Sequence, residues 1–568
     1  MQMPSLLTRG PRLLCACIFG LCSFFNSSQA ASYATIIPRF EQAIAEELNR
    51  GSVSGLSVAL VDDQQMVYSR GFGLADKKRK RPARTDTVYR CGSISKLFTA
   101  LATMQLAEQG KLDIDKPLTN FLSDFRVVVP FDGSAPMTLR QLMCHRSGMV
   151  REAPVGSYFD DSEPSAAETV ASLAACVLVY PTGTKTKYSN SGITVVGQTV
   201  ERVSGKPFEV YQQEHLLGPL GMKSSGWRLT RALRSRLAKG YLPVARADGT
   251  FQEREAPQFE FGILPAGNLY TTAEDLGRFL SMLFAEGMAS GQPLVRKETL
   301  AEMFRPQLTA DTNAFGLGFF AGNFRGHRTV SHMGAVYGFT SALTAIPAQK
   351  IGVIILCNDD IAVGAVRKLN NLALGLMLEA KLGEKLALPE NTNELSADEL
   401  ARFAGDFESE SYWAKVESRG GMLQANISGQ VISLRPVGPL KFLGDGRLVT
   451  EAVFNFDRDS AGSIVGFSGM NQKFRRIDPG SAEPIPAEWK LLLGSYGPDF
   501  IPLIISVRHG HLYAMTENEY DNRLTPLNRF VFKMPPGLYV DEQLVFLTDT
   551  RGRPHTAVLA NIPLKRRR

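Results

Sequence analysis

Apolar and polar residues follow two different periodicities along this chain. Between Ala31 and Leu388, stretches of helical spacing alternate with stretches of strand spacing. "FEQAIAEELNRG", Phe40 to Gly51, has apolar residues on one helical face and stops at a glycine. "VSGLSVALVDD" and "QMVYSRGFG" predict two strands joined by a polar turn. "LFTALATMQLAEQG" predicts a strongly apolar helix closed by Gly110. Far downstream, "TSALTAIPAQKIGVIILCNDD" predicts two strands around a turn, and "AVRKLNNLALGLMLEAKLG" a long helix after them. Strands at both ends with helices between predict an α+β body whose sheet is closed by distant segments.

The pattern changes at "ALPENTNELSADEL", Ala387 to Leu400, a polar linker containing proline. Beyond it the long apolar helices give way to short strands separated by glycine turns. A second Pro-rich break, "DPGSAEPIPAE", spans Asp478 to Glu488. The segments after the two breaks share spacing: Gly405 and Gly421 stand 16 apart, as do Gly494 and Gly510. Each then reaches a Leu-x-Pro, at Leu434 and Leu524, and each ends in a β-rich run, "AVFNFD" and "LVFLTD". We therefore expect two copies of one small all-β, barrel-like unit, at 401–477 and 488–568.

Length and composition agree with several globular domains: 568 residues, 44% hydrophobic and 21% charged. Residues 1–30 are set apart. Arg9 and Arg12 precede the apolar run "LLCACIFGLCSFF", and "NSSQAA" follows with small residues at Ser28 and Ala30. That order predicts a secretory signal peptide. The run is short of the ~20 apolar residues of a membrane span, and no later segment is long and apolar enough. The expectation is an exported, periplasmic or extracellular protein without a transmembrane segment once the signal is removed. Loss of 1–30 takes away two arginines and no acids, so the formal charge falls from +7 to +5. This mild balance calls for no nucleic-acid partner. The basic cluster "DKKRKRPAR", Asp76 to Arg84, reads as a solvated loop. Outside the signal the cysteines are Cys91, Cys144, Cys176 and Cys357, scattered and without metal-ligand spacing; export permits a disulfide without demanding one.

Candidate chemistry centres on "YRCGSISKLFTA", Tyr89 to Ala100. Ser93 and Lys96 stand at i and i+3, on one helical face if the helix begins at Ser93. A lysine held in a desolvated pocket loses proton affinity and can act as a base toward a neighbouring hydroxyl. Alone, the pair is equally a serine cap with a lysine alongside. Two later stretches add to it. "TKYSNSGITVVGQTVE" supplies Tyr188 and Asn190 before an apolar helix, and "VSHMGAVYGFT" supplies His332, Met333, Gly334 and Ala335 on a predicted strand.

Ser-x-x-Lys, Tyr-x-Asn and His-x-Gly in this order resemble the serine β-lactamase and penicillin-binding-protein superfamily. The likeness is to the branch that holds class C β-lactamases, D,D-peptidases, D-aminopeptidases (peptidase family S12) and family VIII esterases. "GKLDIDKPL", "MTLRQLMCHRSGM", "AGNLYTTAEDLGRFL" and "FGLGFF" extend the resemblance over roughly residues 35–380. It implies a catalytic domain at 31–388, an antiparallel sheet flanked by helices with a helical subdomain. It also implies Ser93 as the acylated nucleophile, Lys96 sharing its proton, and Tyr188 as base and then acid with a phenol pKa lowered by the nearby cation. Asn190 would hold the substrate amide and orient Lys96, and His332 would support Tyr188 from the strand side. Gly334 and Ala335 would line the substrate, with the Ser93 and Ala335 N–H groups as the oxyanion hole. No metal or cofactor is implied, and His145 is expected to be structural.

Two departures narrow the substrate. Histidine at 332 replaces the lysine usual in class C β-lactamases. Ala335 lacks the hydroxyl often found where a substrate carboxylate binds. The histidine is commoner in D,D-peptidases, D-aminopeptidases and some esterases, and the missing hydroxyl at Ala335 suits an aminopeptidase or esterase better than a carboxypeptidase or β-lactamase. The expectation is an exported serine hydrolase acting on D-amino-acid-containing peptides or amides, with a small-molecule or short-peptide substrate as its partner. A carboxylesterase or β-lactamase is the alternative, and a scaffold protein retaining the fold is the non-enzymatic one. Oligomeric state stays open.

Overall fold

Ile351–Cys357 is buried at every position and Gly55–Asp62 at all but its last, so these two strands lie at the middle of a sheet covered on both faces. They pair with each other although some 300 residues separate them, Leu56 opposite Cys357 and Asp62 opposite Ile351. The computed structural model describes residues 32–245, 251–386, 395–481 and 484–567. The predicted signal segment, residues 387–394 of the linker and residues 482–483 of the second break lie outside the described residues.

The sheet has eight antiparallel strands. In spatial order they are Ala314–Phe315, Phe320–Phe324, His327–Val336, Phe339–Ile346, Ile351–Cys357, Gly55–Asp62, Gln65–Asp76 and Arg81–Pro82. The alternation of a strand divides its side chains between two cores. Val58, Leu60, Val353 and Ile355 face the helices Tyr33–Asn49 and Val363–Leu382. Ala59, Val61, Ile354 and Leu356 face the helices Ser95–Glu108 and Ala273–Phe284. The first helix begins at Tyr33, seven residues before the predicted start, and runs through Pro38. Every residue from Ser95 to Leu106 is buried, so that helix is a core element with neighbours on all sides.

Beyond the linker, eight strands from Gly405–Glu408 to Gln472–Ile477 form a closed barrel, sealed where Asp406 pairs with Ile477. Phe407, Phe442, Phe454, Phe456, Phe467 and Phe474 fill it. The last unit, Gly494 to Lys565, is not a closed barrel: it has nine strands, one more than the barrel, in sheets of four and five. The split falls at Leu524, between Asp521–Arg523 and Thr525–Pro526, where the Leu-x-Pro sits. Its ends meet: the Gly497 N–H donates to Lys565 O at 2.8 Å and the Arg567 N–H to Ser495 O at 2.9 Å. Among the described residues the cysteines Cys91, Cys144, Cys176 and Cys357 are buried, with no disulfide among them.

Candidate active site

The chain enters the buried helix through a tight 3-10 turn, Gly92–Ile94, and Ser93 sits on that turn, half-buried. The helix itself starts at Ser95, two residues later than the spacing predicts. Lys96 still reaches back: its Nζ lies 2.9 Å from Ser93 Oγ and donates to Ala266 O at 2.8 Å. From the other side the Tyr188 hydroxyl donates to Ser93 Oγ at 2.8 Å. Ser93 is thus a hub between an amine and a phenol. Ser95 is tied elsewhere, donating to Gly92 O at 2.6 Å and accepting the Leu269 N–H at 3.0 Å.

Burial governs the proton affinities of this trio. Lys96 is fully buried, and desolvation holds its pKa well below the ordinary lysine value, with Arg151 acting in the same direction. The expectation for Tyr188 is corrected. Desolvation outweighs the hydrogen bond to Ser93 and the charge of Arg151, and the phenol is pushed above its usual range. The Tyr188 phenol therefore rests protonated, and burial biases Lys96 toward its neutral amine. A neutral amine with a free lone pair is the proton acceptor of the group, and the phenol is a proton donor.

Tyr188 is placed by the segment from His145 to Glu152. The Lys187 N–H donates to His145 O at 2.7 Å, the Ser189 N–H to His145 Nδ1 at 3.2 Å, and the Asn190 N–H to Arg151 O at 2.9 Å. The His145 ring lies 4.3 Å from that of Tyr188, tilted by 32°. Asn190 begins the helix Asn190–Ser204, but it does not touch Lys96 as expected. Its Nδ2 donates to Glu152 Oε1 at 2.5 Å and its Oδ1 has no partner. His332 makes no hydrogen bond to Tyr188 either; the rings are 6.2 Å apart. Its Nδ1–H donates to Met333 O at 2.6 Å, leaving Nε2 a buried acceptor without a partner. Desolvation lowers its pKa to about 3, so it is neutral.

Sequence reasoning missed Arg151 and Glu152, which lay unremarked just after a family-like stretch. Glu152 is fully buried and desolvation raises its pKa to about 7; Oε2 has no partner. The Arg151 guanidinium lies 3.5 Å from Glu152 and 3.5 Å from Glu517, and 5.5 Å from the Tyr188 ring centre. Glu517 belongs to the last β unit. From that unit Glu517, Asn518 and the segment Gly537–Val540 line the same cleft of about 1070 Å³ as Ser93, Tyr188, Asn190 and His332.

The opposite wall is the strand His327–Val336. Its outer neighbour, Phe320–Phe324, pairs with it only as far as Ser331, so the edge from His332 onward is open beside Ser93. Gly334 lets it approach, since a Cβ there would lie 2.0 Å from Cys91 O. Gly92, at φ +52°, meets it: a Cβ there would lie 2.9 Å from both N and O of Ala335. The backbones of Ser93's turn and of Ala335 are thus in contact, as a two-donor oxyanion hole requires.

A beta-lactamase family profile matches residues 40–376. Esterase EstB of Burkholderia gladioli is 31% identical over 329 residues, covering 52% of this chain and 80% of the esterase. Protein flp of Staphylococcus aureus strain MW2 is 22% identical over 326 residues, 56% of this chain; the chain spans only 62% of that relative's length. Among solved structures, the octameric penicillin-binding protein homologue from Pyrococcus abyssi superposes at TM-score 0.54 with 23% identity, covering 77% of this chain and 99% of that one. The D-amino acid amidase from Ochrobactrum anthropi SV3, complexed with D-phenylalanine, does so at 0.52 with 24% identity, covering 60% and 99%. At these identities the two structures speak to the fold.

Proposed function

The chain belongs to the beta-lactamase family, and from that premise and the geometry at Ser93 we propose that it is a serine hydrolase working through an acyl-enzyme on amides or short peptides of D-amino acids. The observation that carries the reading is the position of Ser93 Oγ, 2.9 Å from the buried amine of Lys96 and 2.8 Å from the phenol of Tyr188. Lys96 takes the Ser93 proton as Oγ attacks the carbonyl. The oxyanion forms against the N–H groups of Ser93 and Ala335. Tyr188 passes its proton to the leaving amine and is reprotonated from Lys96, so the free amine departs and the acyl group stays on Ser93. Water then repeats the sequence and restores all three groups.

The preference for a free α-ammonium rests on the carboxylate of Glu517, which lines the cleft beside Arg151 at the Tyr188 end, with Glu152 buried behind them. A carboxylesterase is the second reading, favoured by the likeness to EstB and by the rings of Phe315, Phe320 and Phe324 along the cleft. Export through residues 1–30 belongs to the same proposal and is tested by N-terminal sequencing of the protein from fractionated cells.

A fluorophosphonate probe should label the protein, and Ser93→Ala should abolish both labelling and turnover. Hydrolysis of D-alanyl p-nitroanilide ahead of p-nitrophenyl acetate and nitrocefin supports the amide reading. Ester turnover alone transfers the assignment to an esterase. An unlabelled wild type removes the enzyme reading.

A further inference from the structure

The open edge beside Ser93 is already occupied at one position. His327–Val336 returns as Phe339–Ile346 through Tyr337 and Gly338, so Val336 and Phe339 flank a two-residue turn and form a hydrogen-bonded pair. In that register Gly334 and His332 direct their backbone groups to the neighbouring strand. Ala335 directs both its N–H and its C=O to the open edge. An aminoacyl substrate whose carbonyl oxygen takes the Ala335 N–H would, in the reciprocal pairing of an antiparallel ladder, set its α-N–H on the Ala335 carbonyl. That carbonyl accepts a hydrogen bond from the Tyr158 hydroxyl.

Tyr158 is fixed in this position. Its ring stacks on Phe261 at 5.2 Å and meets the edge of Tyr337 at 5.2 Å. Its loop is pinned at Gly156, at φ +76°, where a Cβ would lie 2.4 Å from Thr169 Oγ1. The Gly156 N–H donates to the Asp160 carboxylate at 2.6 Å. We propose that Tyr158 is a specificity-determining residue that closes the strand edge to N-acylated aminoacyl substrates. An acylated α-nitrogen has one neutral N–H, which must compete with the Tyr158 hydroxyl for the Ala335 carbonyl oxygen. A free ammonium has the carboxylate of Glu517 on the cleft wall instead, and a simple ester needs no acceptor. The inference rests on the acyl-enzyme reading of Ser93.

The test compares the full-length wild type with Tyr158→Phe, which keeps the ring and frees the carbonyl. The substrates are D-alanyl p-nitroanilide and N-acetyl-D-alanyl p-nitroanilide. The wild type should favour the unacylated substrate in kcat/KM, and Tyr158→Phe should shift that ratio about 10-fold toward the acetylated one, the worth of one hydrogen bond. A ratio moved less than about 2-fold, or a wild type that prefers the acetylated substrate, overturns the proposal. A second measurement needs no variant: 6-aminopenicillanic acid, with its free amine, should protect Ser93 of the wild type from fluorophosphonate better than benzylpenicillin does, and the reverse order overturns the proposal. Parallel fluorophosphonate labelling separates the two failures. Labelled proteins with an unmoved ratio sink only Tyr158, whereas no labelling at Ser93 sinks the acyl-enzyme reading itself.

Discussion

Lys187 Nζ and Glu542 Oε1 meet 2.7 Å apart, with side chains 1% and 2% exposed. One residue immediately precedes Tyr188; the other comes from the last β unit. Lys187 also donates to Val540 O at 3.0 Å, and Glu542 accepts the Arg151 N–H at 3.3 Å. Removing one partner strands the other as a buried charge, at a cost of about 3–5 kcal/mol. Glu542→Ala should therefore lower unfolding stability by that order in urea. It should also cut turnover, because Tyr188 is the next residue along. Lys187→Met combined with Glu542→Leu should recover most of the stability. A single-mutant loss below about 1 kcal/mol would show that the pair does not hold the unit in place.

The lowered proton affinity of Lys96 and the raised one of Tyr188 fix the form of the pH profile. Lys96 must be deprotonated to accept the proton, so kcat/KM rises with pH along one limb at the depressed lysine pKa. Tyr188 keeps its proton to high pH, so no loss sets in across the neutral range. Tyr188→Phe should lower the plateau by about 10²-fold, leave the acid limb in place and leave the thermal midpoint close to wild type. Lys96→Met should abolish the limb with the activity. A limb that moves with Tyr188→Phe would mean that the phenol, not the amine, is the titrating base.

Stability should pass through a maximum in acid solution. Glu152, Asp360 and Glu519 have folded pKa values raised by desolvation to about 7, about 7 and about 8. Each binds its proton more tightly folded than unfolded, so stability falls as pH rises from the ordinary carboxylate range through those values. His332 works in the opposite sense. Its folded pKa is about 3 against 6.5 unfolded, so stability falls as pH drops below 6.5. Glu519 sits where all three units meet, 3.1 Å from Arg447 of the barrel and near Asp360 of the catalytic body. Thermal midpoints from pH 3 to 9 should peak at about pH 4, where proton uptake by the three carboxylates balances that of His332, and fall toward alkaline pH; Glu519→Gln should flatten that alkaline side. An unchanged alkaline slope would exclude Glu519 as its source.

Gly334→Ala should be among the most damaging single-carbon changes in the catalytic body. The added Cβ would lie 2.0 Å from Cys91 O and 2.4 Å from Ser341 Oγ. The strand must retreat from the turn that carries Ser93, which moves Ala335 off the oxyanion position. We expect a fall of about 10²-fold or more in kcat, from the loss of one oxyanion donor. Gly462→Ala, at a turn open to solvent, is the control for the loss of a glycine.

Much of the framework was legible because it is periodic. The runs at Gly55–Asp62 and Ile351–Cys357 announce buried strands, and glycine spacing announces the two β units. Ser93, Lys96 and Tyr188 were legible as ordered motifs with distinct side chains. The rest depended on tertiary context. The sign of the Tyr188 shift follows from the desolvation of its half-buried phenol by distant parts of the chain, which no local pattern displays. Arg151 and Glu152 are two adjacent charges in a loop, indistinguishable in sequence from a solvated pair. Glu517 and Tyr539 come from turns of a β unit whose own repeat gives no sign that it faces the cleft.

The pairing of Lys187 with Glu542 also sets an order of events. Ser93 and Glu542 stand 449 residues apart, and the chain is made from its amino end. The helix, the sheet and the motif around Tyr188 are all synthesised before the segment Tyr539–Glu542 that closes over them. During that interval Lys187 and Arg151 face water, and their hydration competes with the packing that positions the phenol. Ripening of the site is therefore a late event, completed only when the last strands dock, and synthesis halted shortly before Glu542 would yield a folded body with an unfinished cleft.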